Sequence, residues 1–150
     1  MDSRGKKLSV FDVIGPIMVG PSSSHTAGAQ RIGFALHKKL RGRLKAIEVT
    51  LYNSFADTGE GHGTKTAIIA GILGLEAHDE SLKKSLEIAR AFGVKVSFRK
   101  MHDDSKHPNS AFISAETDCG NFCGFGESLG GGMVDFRELE LEVASRERNP

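Results

Sequence analysis

The 150-residue sequence contains no tryptophan, one tyrosine, four prolines, two cysteines and a net charge of only +1. Each shortage excludes something. Two cysteines, Cys119 and Cys123, cannot build a disulfide framework. A near-neutral chain with 39% hydrophobic residues is not a disordered polyelectrolyte. The longest apolar run, Ala67–Leu75, has nine residues, against about 20 for a membrane-spanning helix. Residues 8–19 are interrupted by Ser9, Asp12 and Pro16, which makes a poor secretory segment. A cytoplasmic location is expected, with no membrane partner. Residues 1–75 carry ten Lys/Arg against five Asp/Glu, including Lys38, Lys39, Arg41, Arg43 and Lys45. Without a binding motif or interleaved aromatics this cluster does not indicate nucleic acid. Cations at a helix C-terminus complement its dipole, which accounts for them more simply.

Glycine, by contrast, is abundant: 18 of 150 residues, or roughly 12% against a usual ~7%. Three glycines lie in residues 59–63 and six in residues 120–132. Such clusters mark backbone that turns sharply or meets a ligand closely. The length suits a single domain over residues 1–150, with a core over 8–143 and a loose tail over 144–150.

The patterning predicts an α+β fold, a mainly antiparallel mixed sheet packed with about three to four helices. A short helix is expected over 9–14 and a longer one from His25 to Leu40, with Ala29, Ile32, Leu36 and Leu40 on one inward face and Arg31, Lys38 and Arg41 largely elsewhere. Gly28, Ala29 and Gly33 thin that helix, so something should pack close to it. Ile47, Val49 and Leu51 alternate with polar residues in a half-buried strand. Ser54–Gly61 reads as a polar loop. Thr64–Leu73 is apolar nearly all round and reads as a buried helix. Ser81–Phe92 should be an amphipathic helix stopped by Gly93. A strand over 94–99 and a hairpin about Asp118-Cys119-Gly120 follow. In the last strand, Met133–Val143, the apolar phase slips, and a bulge near Arg137-Glu138 would absorb it.

Two segments could carry chemistry. Ser22, Ser23, Ser24, His25 and Thr26 stand at the start of the first long helix, with Gly28 following. Free N–H groups of a helix's first turn attract anions, and adjacent hydroxyls add donors. Simple N-capping needs only one of these residues. The second segment is Gly59-Glu60-Gly61-His62-Gly63-Thr64. Glycines on both sides expose His62, and a neutral imidazole suits general acid–base work. A merely exposed loop histidine is the plainer alternative. His37 and His78 read as surface residues, and His102 and His107 as polar-loop residues that could line a site edge. Cys119 and Cys123 are too few for a zinc or iron–sulfur site, so no metal is assigned to this chain. Gly130-Gly131-Gly132 lacks the lysine of a phosphate loop and reads as a bulged approach to the last strand.

Taken together, Ser9-Val10-Phe11-Asp12, Gly20-Pro21-Ser22-Ser23-Ser24-His25-Thr26-Ala27-Gly28, Asn53-Ser54-Phe55-Ala56, Gly61-His62-Gly63-Thr64, His107-Pro108-Asn109 and Gly126-Glu127-Ser128-Leu129-Gly130-Gly131-Gly132 carry a resemblance. In this order they resemble the β chain of iron–sulfur-dependent L-serine dehydratase, over roughly residues 8–136. The resemblance implies deamination of L-serine to pyruvate and ammonia without pyridoxal phosphate, with a 4Fe-4S cluster on an α partner and none on this chain alone. It implies that Ser22, Ser23, Ser24, His25, Thr26, Gly28, Gly61, Gly63 and Thr64 hold the carboxylate or an anion, that His62 removes the α-proton, and that the chain is inactive without its α partner and forms part of an oligomer. Lys65 departs from the acidic residue common at that place in the family. No C-terminal ACT domain is expected. The sequence is also similar to the allosteric substrate-binding domain of some D-3-phosphoglycerate dehydrogenases, which supplies the competing reading of a non-catalytic anion-binding regulatory domain.

Overall fold

The computed structural model describes residues 26–58, 63–75 and 80–140. The expected helix over 9–14, the serine-rich loop, His78 and the tail lie outside these residues. Helix α1 (Gly28–His37) follows a wider helical turn at residues 26 and 27. Its expected inner face is confirmed, since Ala29, Ile32 and Leu36 are wholly buried.

Strand β1 (Leu44–Asn53) buries Ile47, Val49 and Leu51 as the alternation predicts. It continues into α2 (Ser54–Thr58), α3 (Thr64–Ile72), a 3₁₀ turn (Glu80–Lys84) and α4 (Ser85–Ala91) before β2 (Lys95–Met101). Strands β3 (Asn109–Thr117), β4 (Gly120–Gly130) and β5 (Met133–Leu139) complete a five-stranded sheet in the order β2-β1-β3-β4-β5. The β1–β2 pair is parallel, because the helices between them make the crossover that parallel pairing requires. The β1–β3, β3–β4 and β4–β5 pairs are antiparallel. The expected α+β fold with a mainly antiparallel mixed sheet is therefore the observed one, with four α-helices among the described residues.

Cross-strand partners share a face of the sheet. Ile47, Val49 and Leu51 pair with Ala115, Ile113 and Ala111, which pair in turn with Phe122, Gly124 and Gly126. This face carries the core. Glycine here has a specific purpose: a Cβ on Gly126 would stand 2.6 Å from the Ile32 side chain. The thinning of α1 has the same cause. A Cβ on Gly33 would strike the backbone of Ile68 and Ile72 in α3, and one on Gly71 would strike the backbone of Gln30 and Phe34 in α1. Helices α1 and α3 thus touch backbone to backbone, where neither wall can yield by changing rotamer.

Four expectations need correction. Ser54–Thr58 is a helix, not loop, and its Phe55 and Ala56 are buried. The backbone N–H groups of Ser54 and Phe55 both donate to Pro108 O, at 2.8 and 3.3 Å, which anchors the start of that helix. The helix expected over 81–92 is split, a 3₁₀ turn preceding α4, with Ser85 Oγ donating to Thr66 O at 2.7 Å. The bulge lies between Ser128 and Gly130, while Arg137 and Glu138 pair regularly with Phe125 and Gly124. Val134, Phe136 and Glu138 face the core side, and with no bulge to absorb the slip in apolar phase Leu139 falls on the opposite, exposed face. Finally, Arg31, expected away from the inward face, is buried.

Candidate functional site

Helices α1 and α3 receive the two segments singled out by sequence. Neither begins with a side-chain cap: the N-cap residues Ala27 and Gly63 make no side-chain hydrogen bond to the helix start. Gly63 has φ 74, a left-handed conformation that suits glycine. At α3 the first-turn N–H groups, which no N-cap side chain serves, are donors with partial positive charge, whereas Ala27 before α1 is itself helical, with φ −67 and ψ −41, and continues the turn at residues 26 and 27. Of the expected site residues, Thr26 and Gly63 are partly exposed, whereas Gly28 and Thr64 are buried. Gly28 is held against Ser128 of β4, whose hydroxyl occupies the space a Cβ would need. Ser22, Ser23, Ser24, His25, Gly61 and His62 lie outside the described residues.

A second cluster was only partly legible in the sequence. Asn53, at the end of β1, has φ 53, which asparagine tolerates better than most residues. Its side chain organises the 102–108 loop. Nδ2 donates to Asp103 O at 3.0 Å and Lys106 O at 3.1 Å, with His107 O at 3.3 Å, and Oδ1 accepts from Asp103 N–H at 2.9 Å. Asp103 is held below the usual carboxylate range by hydrogen bonds from the Ser105 hydroxyl and backbone N–H. His107 Nδ1 accepts the Asn109 backbone N–H at 2.9 Å. That leaves Nε2 to carry the proton of the neutral ring. Asn109 Oδ1 is buried without a hydrogen-bond partner. A buried acceptor in that state is costly and marks a place for a donor from outside. Both Asn53 and His107-Pro108-Asn109 stood within the resemblance, but no spacing rule could have shown that they meet.

The loop is also tied to α2. His102 Nε2 lies 2.7 Å from Asp57 Oδ1, in an exposed pair. Asn53 thus stands at the junction of β1, α2 and the His107 loop. Asn53→Ala should cost about 2–4 kcal/mol, from the lost loop hydrogen bonds and from a β-carbon forced into a left-handed backbone. Urea unfolding of the variant measures this, with Asn53→Gly losing less because glycine removes the backbone part.

The Gly130-Gly131-Gly132 turn is bulged as expected, with φ of 99, 63 and 85. Its position is set by Arg31, whose Nη1 donates to Gly132 O at 2.8 Å. An arginine in a helix reads as solvent-facing, and its acceptor is a carbonyl far along the chain, so pattern alone could not find this contact. His37 is likewise more than a surface residue. It stacks on Phe34 and its Nδ1 is 2.9 Å from Ile72 O.

The described residues do not fit an iron–sulfur cluster. Cys119 is exposed in the β3–β4 turn, whereas Cys123 is buried in β4 with its Sγ 3.5 Å from Leu139 O. Burial, with Glu138 nearby, pushes the Cys123 thiol up, away from the thiolate a metal requires. No group of three or more potential ligands gathers among the described residues, and no helix among them is long and apolar enough to cross a membrane.

Comparison with known proteins adds the following. The family model described as serine dehydratase beta chain matches residues 9–93. The chain is 45% identical over 134 residues to the probable L-serine dehydratase, beta chain, of Bacillus subtilis (strain 168), covering 89% of this chain and 61% of that protein. It is 43% identical over 128 residues to the L-serine dehydratase, beta chain, of Peptoniphilus asaccharolyticus, covering 84% and 58% respectively. It is 40% identical over 119 residues to an L-serine dehydratase of Streptomyces coelicolor, covering 69% of this chain and 26% of that protein. The chain therefore spans about three-fifths of the length of the beta-chain relatives it matches.

Proposed function

The chain belongs to the serine dehydratase β-chain family, and on that premise we propose that it serves a lyase that deaminates L-serine to pyruvate and ammonia. The observation that carries this reading is the close packing of helices α1 and α3, with no N-cap side chain serving the start of α3. They receive the hydroxyl-rich 22–26 segment and the glycine-flanked His62. In this proposal Ser22, Ser23, Ser24, His25 and Thr26 bind the substrate carboxylate, with the backbone of Gly61 and Gly63 beside it. Gly28 and Thr64, buried near the starts of the two helices, complete the anion site in this proposal. Asn109 Oδ1, the buried acceptor that lacks a donor, is offered to the substrate ammonium.

His62 takes the α-proton in this scheme. The proton is weakly acidic, so a base held within hydrogen-bond reach of it and a carboxylate fixed in one orientation are both needed. A 4Fe-4S cluster is assigned to an α partner, since the residues described here do not fit one. The oligomer is cytoplasmic in this reading. Purifying the chain together with an α partner and assaying pyruvate from L-serine under anaerobic conditions tests the proposal. The complex should turn over serine and the isolated chain should not. Serine that binds and alters a partner's activity without being consumed would instead support the anion-binding regulatory reading.

A further inference from the structure

Strand β5 forms one outer edge of the sheet among the described residues, with β4 on its inner side. An outer strand presents unpaired N–H and C=O groups to any strand that fits, and charges placed on it usually discourage pairing. The charges on β5 have opposite signs. Asp135 and Arg137 share one face of the strand with Met133 and Leu139, and the two apolar residues are 45% and 42% exposed.

Consider a second copy pairing with this edge about a two-fold axis perpendicular to the sheet. Residues opposite each other must point to the same face, so their numbers differ by an even amount and the axis passes through one residue. An axis at Asp135 sets Asp135 against itself, and an axis at Arg137 sets two arginines together. Both registers place like charges directly opposite, which is unfavourable. An axis at Phe136 does the reverse. Asp135 then faces Arg137 of the second copy, twice by symmetry, and Met133 faces Leu139. This register also pairs the whole of Met133–Leu139, more of the strand than either alternative.

We propose that this chain forms a two-fold dimer by antiparallel β5–β5 pairing centred on Phe136, which joins two five-stranded sheets into one continuous sheet. The occupant of the edge is a second copy because the face carrying Met133, Asp135, Arg137 and Leu139 is complementary to itself in charge and apolar character, while on the other face Phe136 meets Phe136 and Val134 meets Glu138, whose charge has Lys39 of its own chain at 3.8 Å. The proposal does not rest on the catalytic reading.

Sedimentation velocity of the full 150-residue chain over a concentration series tests it. The wild type should show a monomer–dimer equilibrium. Asp135→Arg and Arg137→Asp should each weaken the dimer roughly tenfold or more, since each turns two attractive pairs into repulsive ones. The double variant D135R/R137D should restore it, the pairs being re-formed with signs exchanged. Circular dichroism and urea unfolding of each variant separate loss of pairing from loss of fold. A wild type that is monomeric throughout, as expected if the edge serves a different chain, overturns the proposal. So do single variants that dimerise like the wild type, or a folded double variant no tighter than the singles.

Discussion

Replacing His62 by alanine should lower serine turnover of the reconstituted complex by about 10²–10⁴-fold, the range a positioned acid–base group supplies, while assembly with the α partner persists. The residue lies within Gly61-His62-Gly63, where neither sequence neighbour carries a side chain. It also precedes the start of α3, whose N-cap residue Gly63 supplies no side-chain cap. A partial positive charge there opposes a second charge on the ring and favours its neutral, proton-accepting form. The comparison that gives the result meaning is Ser23→Ala with Ser24→Ala in the same complex. That pair should chiefly raise KM, because it removes contacts to a carboxylate that are present before and during the reaction. If the His62 variant turns over serine at nearly the wild-type rate while the serine variants still lose affinity, this domain binds an anion without performing chemistry. If neither set changes rate or affinity, the chain is a structural subunit.

The parts of the fold that sequence made legible are those where periodicity and burial coincide. Ile47, Val49 and Leu51 alternate because one face of β1 is covered, and Ala67–Ile72 is apolar all round because that part of α3 is buried throughout. Other parts were hidden for specific reasons. Helix α2 is five residues long, too short to display a period, and it presents only Phe55 and Ala56 as apolar residues. Strand β5 is half-exposed on both faces, so Glu138 can lie on the core side and reach Lys39 at 3.8 Å, and polarity ceases to report facing. Arg31 and Gly132 meet only because the β4–β5 turn folds back over α1. The candidate site shows the same division. Its hydroxyl and histidine segments stood out as local composition. The Asn53 network and the orphaned Asn109 acceptor depend on the end of β1 meeting the loop before β3.

Phe55→Ala should be the most damaging single substitution in this region, costing about 3–5 kcal/mol, a large share of a typical domain's total stability. Phe55 is wholly buried and among the largest fully buried side chains. It belongs to the core cluster of the described residues, together with Leu51, Ile68 and Ile113. Truncation removes a ring's worth of apolar contact and leaves a cavity whose lining belongs to several elements, which limits how far it can collapse. Ala56 is buried beside Phe55, the first two N–H groups of α2 share the Pro108 carbonyl, and the exposed Asp57–His102 pair contributes little. The damage should therefore reach beyond stability. Only four residues separate Thr58 from Gly63 in the sequence, so a loosened α2 should also loosen the segment that carries His62. Phe55→Leu, which keeps most of the volume, should retain the fold with a smaller loss. In the reconstituted complex its kcat should fall more than its KM rises, because a poorly held base affects the proton-transfer step more than carboxylate binding. Equal urea midpoints for Phe55→Ala and wild type would show that α2 is not held by this ring. A Phe55→Leu complex with normal kcat would show that the His62 segment takes its position from elsewhere.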